Sequence, residues 1–362
     1  MTDLAQALAR RTEQLCAQLS PIGEEGALCD AVEAWARGRF PAVERVRDSL
    51  VVRVDGPPAP GRPAVALCGH LDTVPVHEAD RGPPRREGDR IVAPGSSDMK
   101  GGIAVLMELA ERLPRSARFC DLVLVLYARE EGPYVENELE EILRDPARLR
   151  GVDLALCLEP TDNVLQLGCV GSIHATFTFH GKAAHSARPW DGRNAVHEAG
   201  RLLSELAARP PREGRSDGLV FREVLSATRI EGGRARNVVP DRCTLNLNFR
   251  FAPDRTLEAA ADELRALGAR HGAEVTLTDL SPACPAFQDH PLVRRLVARG
   301  QVPVEPKQAW TDVARLAAHG VRAVNLGPGA TSQAHQRGEW VEIPALVRGY
   351  AVYESFLREA AP

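Results

Sequence analysis

PAVALCGHLDTVP, residues 63–75, decides the fold. From Ala64 to Gly69 no side chain is polar, the pattern of a strand covered on both faces; such strands belong to parallel sheets with helices on either side. The run then ends in His70 and Asp72. DLVLVLYA (121–128) and DLALCLEP (153–160) repeat the pattern, and SSDMKGGIAVLMELAERL (96–113) reads as a helix between them. Two amphipathic helices open the chain, with Leu4, Leu8, Leu15 and Leu19 and then Leu28, Val32, Trp35 and Ala36 at helical spacing. Strands alternating with helices predict an α/β fold with a doubly wound, largely parallel sheet.

After Gly171 the period changes. IHATFTFH (173–180) alternates strictly, with Ile173, Ala175, Phe177 and Phe179 on one face. A helix (GRNAVHEAGRLLSELA), two strands (LSATRIE and CTLNLNFRF), a helix (TLEAAADELRALGARHG) and a strand (EVTLTDL) follow. The order β-α-β-β-α-β is ferredoxin-like. From about Pro285 helices and short strands resume. The expected organisation is a catalytic α/β domain over residues 1–171 and 281–362, interrupted by an inserted α+β lid over 172–280.

Composition narrows the function classes. The 362 residues are 44% hydrophobic and 26% charged, with a formal charge of −4. No basic stripe or aromatic-basic interleaving points to nucleic acid, and no apolar run has the length of a membrane span. The opening MTDLAQALARRTEQ has no apolar secretory core. The eight cysteines are scattered, without a CxxC. A cytoplasmic protein with reduced thiols is expected.

The chemistry gathers at strand ends. His70 and Asp72 follow the first apolar strand, Glu130 and Glu131 the second, and Glu159 the third; Asp98 lies in GSSDMKGG, and His335 follows the strand RAVNLG in GPGATSQAH. Singly, each has an ordinary reading: Asp98 as a helix N-cap, Glu130–Glu131 as a solvated pair, Glu159 as a loop acid. Together they place many carboxylates at the ends of buried strands, and burying them unpaired is costly. A cationic centre resolves that cost. Histidine and carboxylate donors without cysteine suit Zn²⁺, Co²⁺ or Mn²⁺, and a metal pair needs a bridging carboxylate.

GHLDTVP, GSSDMKGG, AREEG, LEPT and the late AH make the chain resemble, over essentially its whole length, the di-zinc amidohydrolases. That family includes aminoacylases, acetylornithine deacetylase, glutamate carboxypeptidases and succinyl-diaminopimelate desuccinylase. AAHSARPWDGRNAVH, FREVLSA, EGGRARNVVPD, NFRFAPDR, WTDVARLAAHG and AVNLGPG are most similar to the actinobacterial type of the last. The resemblance implies two Zn²⁺ per chain, with Co²⁺ as a substitute. His70 and Glu159 would hold one, Glu131 and His335 the other, and Asp98 would bridge. Asp72 would orient His70 by a hydrogen bond, Glu130 would be the general base, and a cis Asp98–Met99 bond is implied. His185 on the lid would stabilise the oxyanion in a partner's site, which implies a homodimer through the inserted domain. Asn237, Arg250 and Arg188 would contact a substrate rich in carboxylates. The implied reaction is hydrolysis of N-succinyl-LL-2,6-diaminopimelate in lysine biosynthesis, with acetylornithine deacetylase, aminoacylase and carboxypeptidase activities as alternatives. GCVGS (168–172) stands where proteobacterial desuccinylases carry GRRGS, so an arginine pair is absent at Cys169–Val170. A catalytically inactive binding or scaffold protein would have lost the base or a ligand, and all seven metal-site positions are retained.

Overall fold

The computed structural model describes residues 2–359. Residue 1 and residues 360–362, at the outer ends of the expected catalytic domain, lie outside them. The chain divides into two compact units. One consists of Gly168–Ala286 and Pro306–Ala314, and the remaining described residues form the other. The former extends beyond the expected 172–280 span at both ends. It also takes up the segment WTD (310–312), which the sequence-based boundary assigned to the catalytic domain.

The larger unit is built on an eight-stranded sheet. Its order is Ala42–Val46, Ser49–Arg53, Asp121–Tyr127, Ala64–His70, Val152–Cys157, Ala323–Asn325, Leu165–Leu167 and Val304–Pro306. The four strands from Asp121–Tyr127 to Ala323–Asn325 pair in parallel. Antiparallel strands flank them on both sides. Ala64–His70 and Asp121–Tyr127 are buried at every position, which is why neither shows alternation in sequence. From Ala64–His70 the chain goes to its neighbour on one side, Asp121–Tyr127, and then to its neighbour on the other, Val152–Cys157. The winding reverses at Ala64–His70, and in open α/β sheets the crevice beyond the strand ends at such a point binds ligands.

One expected element is shorter than its sequence pattern. The helix expected over 96–113 runs only from Gly101 to Arg112. Ser96–Lys100 is instead a wide turn in which Asp98 (φ −121°, ψ 92°) and Met99 (φ −135°, ψ 34°) leave helical geometry. Asp98 is therefore not a helix cap. The Asp98–Met99 peptide bond is cis, as the resemblance implied.

The smaller unit carries a five-stranded antiparallel sheet in the order Arg212–Ser216, Leu219–Gly232, Arg242–Phe251, Gly171–His180, Glu274–Ser281. Four of these strands and the helices Ala195–Ala208 and Leu257–His271 give the ferredoxin-like order. The strand Arg212–Ser216, a hairpin partner, is added to it. Asn194 and Thr256 cap the helices through side-chain oxygens that accept backbone N–H bonds. Ile173, Phe177, Phe179, Leu245, Leu247 and Phe249 form the buried face under the helices. The residues between them, His174 and Asn248 among them, are half-buried on the other face. All eight cysteines of the chain are buried free thiols.

Candidate metal centre

The four central parallel strands deliver the predicted residues to one edge. His70 ends Ala64–His70, Glu130 and Glu131 follow Asp121–Tyr127, Glu159 follows Val152–Cys157, and the loop after Ala323–Asn325 leads to His335. His70, Asp98 and Glu131 each present a ligand atom within 4.8 Å of the others. His335 joins them, its Nε2 lying 2.9 Å from Glu131 Oε2 and 3.7 Å from Asp98 Oδ2. Glu159 is buried at its strand end, outside this compact group.

The histidine geometry calls for a cation. His70 Nδ1 lies 3.1 Å from the backbone carbonyl oxygen of Asp72, which can only accept, so Nδ1 carries the hydrogen. In the neutral ring, Nε2 then turns a lone pair toward Asp98 Oδ1 at 3.1 Å. Two lone pairs at that distance repel unless a proton or a metal ion lies between them. Burial disfavours a charged His70, but the neighbouring carboxylates of Asp72 and Asp98 hold its pKa well above the ordinary value. The hydrogen bond with Glu131 pushes His335 up to about 9. Asp98 thus turns one oxygen to each histidine, the disposition of a carboxylate shared by two cations. The donor set and its geometry fit a metal pair.

Asp72 acts differently from the expectation. Its carboxylate Oδ1 stands 3.6 Å from His70 Nδ1, beyond a hydrogen bond; the backbone carbonyl fixes the ring instead. The carboxylate accepts the N–H groups of Glu130 at 3.1 Å and Glu131 at 2.8 Å. Glu25, fully buried, accepts the preceding N–H of Arg129 at 3.2 Å. Three successive amides of the glutamate turn are therefore held by two buried carboxylates, with Arg129 at φ 63°.

A third such carboxylate is Glu339, which sequence reasoning missed. Its Oε1 accepts the N–H groups of Ser97 at 2.7 Å and Asp98 at 2.8 Å, and its Oε2 that of Gly95 at 2.6 Å. Burial pushes its pKa up to about 7 despite these three bonds. The only signal in the sequence is an acid four residues after a candidate ligand histidine. Between the two strand-end segments, Gly327 and Gly329 allow close approach. A Cβ on Gly327 would lie 2.3 Å from the carbonyl oxygen of Glu159, and one on Gly329 2.1 Å from that of Ser97.

The remaining predicted residues lie in the smaller unit. Backbone bonds from Ser186 N to Asn237 O and from Val239 N to Ala184 O pair the His185 loop with the Asn237 loop. His185 is exposed, and its Nδ1 accepts the N–H of Ala187 at 3.0 Å. In the neutral ring that leaves Nε2–H as an outward donor. Arg188 is exposed nearby. Arg250 is half-buried and makes no ion pair with any described residue; burial lowers its pKa. Cys169 and Val170 are fully buried, so neither position has room to present an arginine to solvent.

Comparison with known proteins places the chain. Residues 167–276 match the peptidase dimerisation domain of the M20 group. A DapE protein of Mycobacterium tuberculosis is 38% identical over 320 residues, covering 88% of this chain and 89% of its own. The succinyl-diaminopimelate desuccinylase of Corynebacterium glutamicum is 35% identical over 356 residues, covering 96% and 95%. The M20 family metallo-carboxypeptidase Sso-CP2 of Sulfolobus solfataricus shares the fold, with a TM-score of 0.75 at 16% identity over 98% of each chain. On identity sustained over nearly the full length of its relatives, the chain belongs to the M20 metallopeptidase family, in the branch that holds the succinyl-diaminopimelate desuccinylases.

Proposed function

We propose that the protein hydrolyses N-succinyl-LL-2,6-diaminopimelate to succinate and LL-2,6-diaminopimelate, a step of lysine biosynthesis, with two Zn²⁺ per chain. The near-full-length identity to the Corynebacterium glutamicum desuccinylase carries this reading. His70 and Glu159 would hold one ion, Glu131 and His335 the other, and Asp98 would serve both; Co²⁺ would suit the same donors. A divalent pair in such a site acidifies water and polarises the scissile carbonyl.

The chain's own groups do the rest. Glu130, its backbone pinned by Asp72, takes a proton from the attacking water as the oxygen bonds to the amide carbon. The outward Nε2–H of His185 donates to the oxyanion that forms on the carbonyl oxygen. Glu130 then passes its proton to the leaving nitrogen, the C–N bond breaks, and acid and amine are released. Arg250 and Asn237 take carboxylates of the substrate, with Arg188 available beside His185.

His185 acts in the site of a second copy. Beyond Glu223 the strand Leu219–Gly232 has no strand partner among the described residues on the side where Arg212–Ser216 pairs with its first residues. That open stretch exposes Val224 and Ile230. Free edges of this kind are normally covered, and two copies related by a two-fold axis would cover each other's. No helix among the described residues is long and apolar enough to cross a membrane. The buried free thiols favour the cytoplasm.

The test is release of free amine by the zinc-loaded protein from N-succinyl-LL-2,6-diaminopimelate, N-acetylornithine, other N-acetyl amino acids and dipeptides. The succinylated substrate should give the highest kcat/KM. A higher value for another member of the panel would reassign the substrate, and no turnover of any would leave a binding or scaffold protein.

A further inference from the structure

The open face of the smaller unit's sheet carries a chain of polar side chains running away from Arg250. Arg250 lies opposite Ser172, and Asn248 lies opposite His174. Arg250 Nε donates to Asn248 Oδ1 at 2.9 Å. The Asn248 amide lies 2.8 Å from His174 Nε2. On the far side, His174 Nδ1 faces the Asn246 carboxamide at 3.3 Å, and that carboxamide reaches Thr228 Oγ1 at 2.6 Å.

The roles along this chain are fixed by Arg250. A guanidinium only donates, so the carboxamide of Asn248 must turn its oxygen to Arg250 and its NH₂ to His174. His174 Nε2 is therefore an acceptor, the neutral ring carries its hydrogen on Nδ1, and the Asn246 carboxamide must turn its oxygen, not its NH₂, to that N–H. Loss of the Nε2 acceptor leaves the Asn248 NH₂ only a long 3.5 Å bond to Ser172 Oγ and loosens the carboxamide that holds Arg250 Nε.

What this arrangement leaves available is specific. Nε is occupied, while Nη1 and Nη2 bond to no described residue, and the half-buried guanidinium has no ion-pair partner among them. An arginine held in this way offers the end-on fork of its two terminal nitrogens, which matches a carboxylate. We infer that His174, acting through Asn248, is a positioning residue that holds Arg250 in the orientation that receives a carboxylate of the substrate. This rests on the desuccinylase reading above, in which Arg250 contacts substrate.

Steady-state kinetics on N-succinyl-LL-2,6-diaminopimelate separate the two ideas. His174→Leu removes the acceptor and should raise KM about tenfold, the worth of one hydrogen bond to a charged group's support, with kcat changed less than about twofold. His174→Gln, whose side-chain oxygen can accept from Asn248, should restore most of the affinity. In an Arg250→Ala background, His174→Leu should have no further effect on KM. Asn248→Ala breaks the same chain one step nearer Arg250 and should reproduce the KM effect if His174→Leu fails to fold. If Arg250→Ala raises KM while His174→Leu and Asn248→Ala do not, the positioning role is overturned and the substrate reading stands. If Arg250→Ala itself leaves KM unchanged, the reading of Arg250 as a substrate contact fails, and the inference with it.

Discussion

Replacement of Glu339 by glutamine isolates the support of the Asp98 turn from the proposed metal ligands themselves. The carboxylate accepts three buried N–H groups, two on Oε1 and one on Oε2. Glutamine can keep its oxygen on Ser97 and Asp98, but its amide then faces the N–H of Gly95, donor against donor. One buried donor left unsatisfied costs about 1–3 kcal/mol. Leucine would orphan all three, about 3–9 kcal/mol by the same measure, comparable to the whole stability of a domain. Glu339→Gln is therefore the informative variant. It should remain folded, with an unfolding free energy lowered by that first amount and read as a lower urea midpoint. Because the displaced turn carries Asp98, which faces both His70 and His335, zinc affinity should fall about 10–100-fold, the range for residues that orient ligands. Calorimetric titration of the metal-free protein with zinc, beside urea unfolding, reads both. Wild-type affinity together with wild-type stability in Glu339→Gln would refute the reasoning.

Three further outcomes test the site. Glu130→Gln should lower kcat by about 10² or more while zinc content stays at the wild-type level; loss of zinc instead would exchange the roles of Glu130 and Glu131. In the metal-free protein the bond with Glu131 raises His335 to about 9, above its ordinary value, so it keeps its proton through neutral pH. Zinc binding at pH 7 should expel that proton, and apparent affinity should strengthen as pH rises toward 9; titration in buffers of different ionisation enthalpy would expose the absence of proton release. Mixing His185→Ala with Glu130→Gln chains should restore activity, because a heterodimer with His185 acting across the interface has one intact site; no recovery with heterodimers present would place His185 in its own chain's site.

The parts of the molecule that follow from repetitive patterns could be read from the sequence. Ala64–His70 and Asp121–Tyr127 are apolar because both faces are covered, and Gly171–His180 alternates because one face is open. The strand-end acids and histidines stood out because buried strands give them no other reason to be there. The Asp98 turn was misread as helix: Ser96–Lys100 has the composition of a helix start, but its amides are bound by Glu339, 241 residues further on in the case of Asp98. A clamp of this kind acts on backbone N–H groups, which every residue has, so it leaves no local motif. The same holds for Glu25 and for Asp72, whose carboxylate serves the Glu130–Glu131 amides rather than the His70 ring. Short strands such as Arg85–Glu87 and Trp340–Glu342 hold too few residues to show a period.

The buried thiols have a practical consequence for watching this protein work. Burial pushes Cys16, Cys29 and Cys120 up to about 12 and Cys169 to about 11, and none of the eight sulfurs belongs to an exposed residue. Alkylating reagents attack the thiolate, so the folded native chain should be silent to maleimides at neutral pH. A single cysteine introduced at Trp190, which is 77% exposed and five residues from His185, would then be the one reactive handle on the molecule. A fluorophore or spin label placed there needs no cysteine-free background, and its signal would report directly on the environment of the His185 loop as substrate arrives and product leaves.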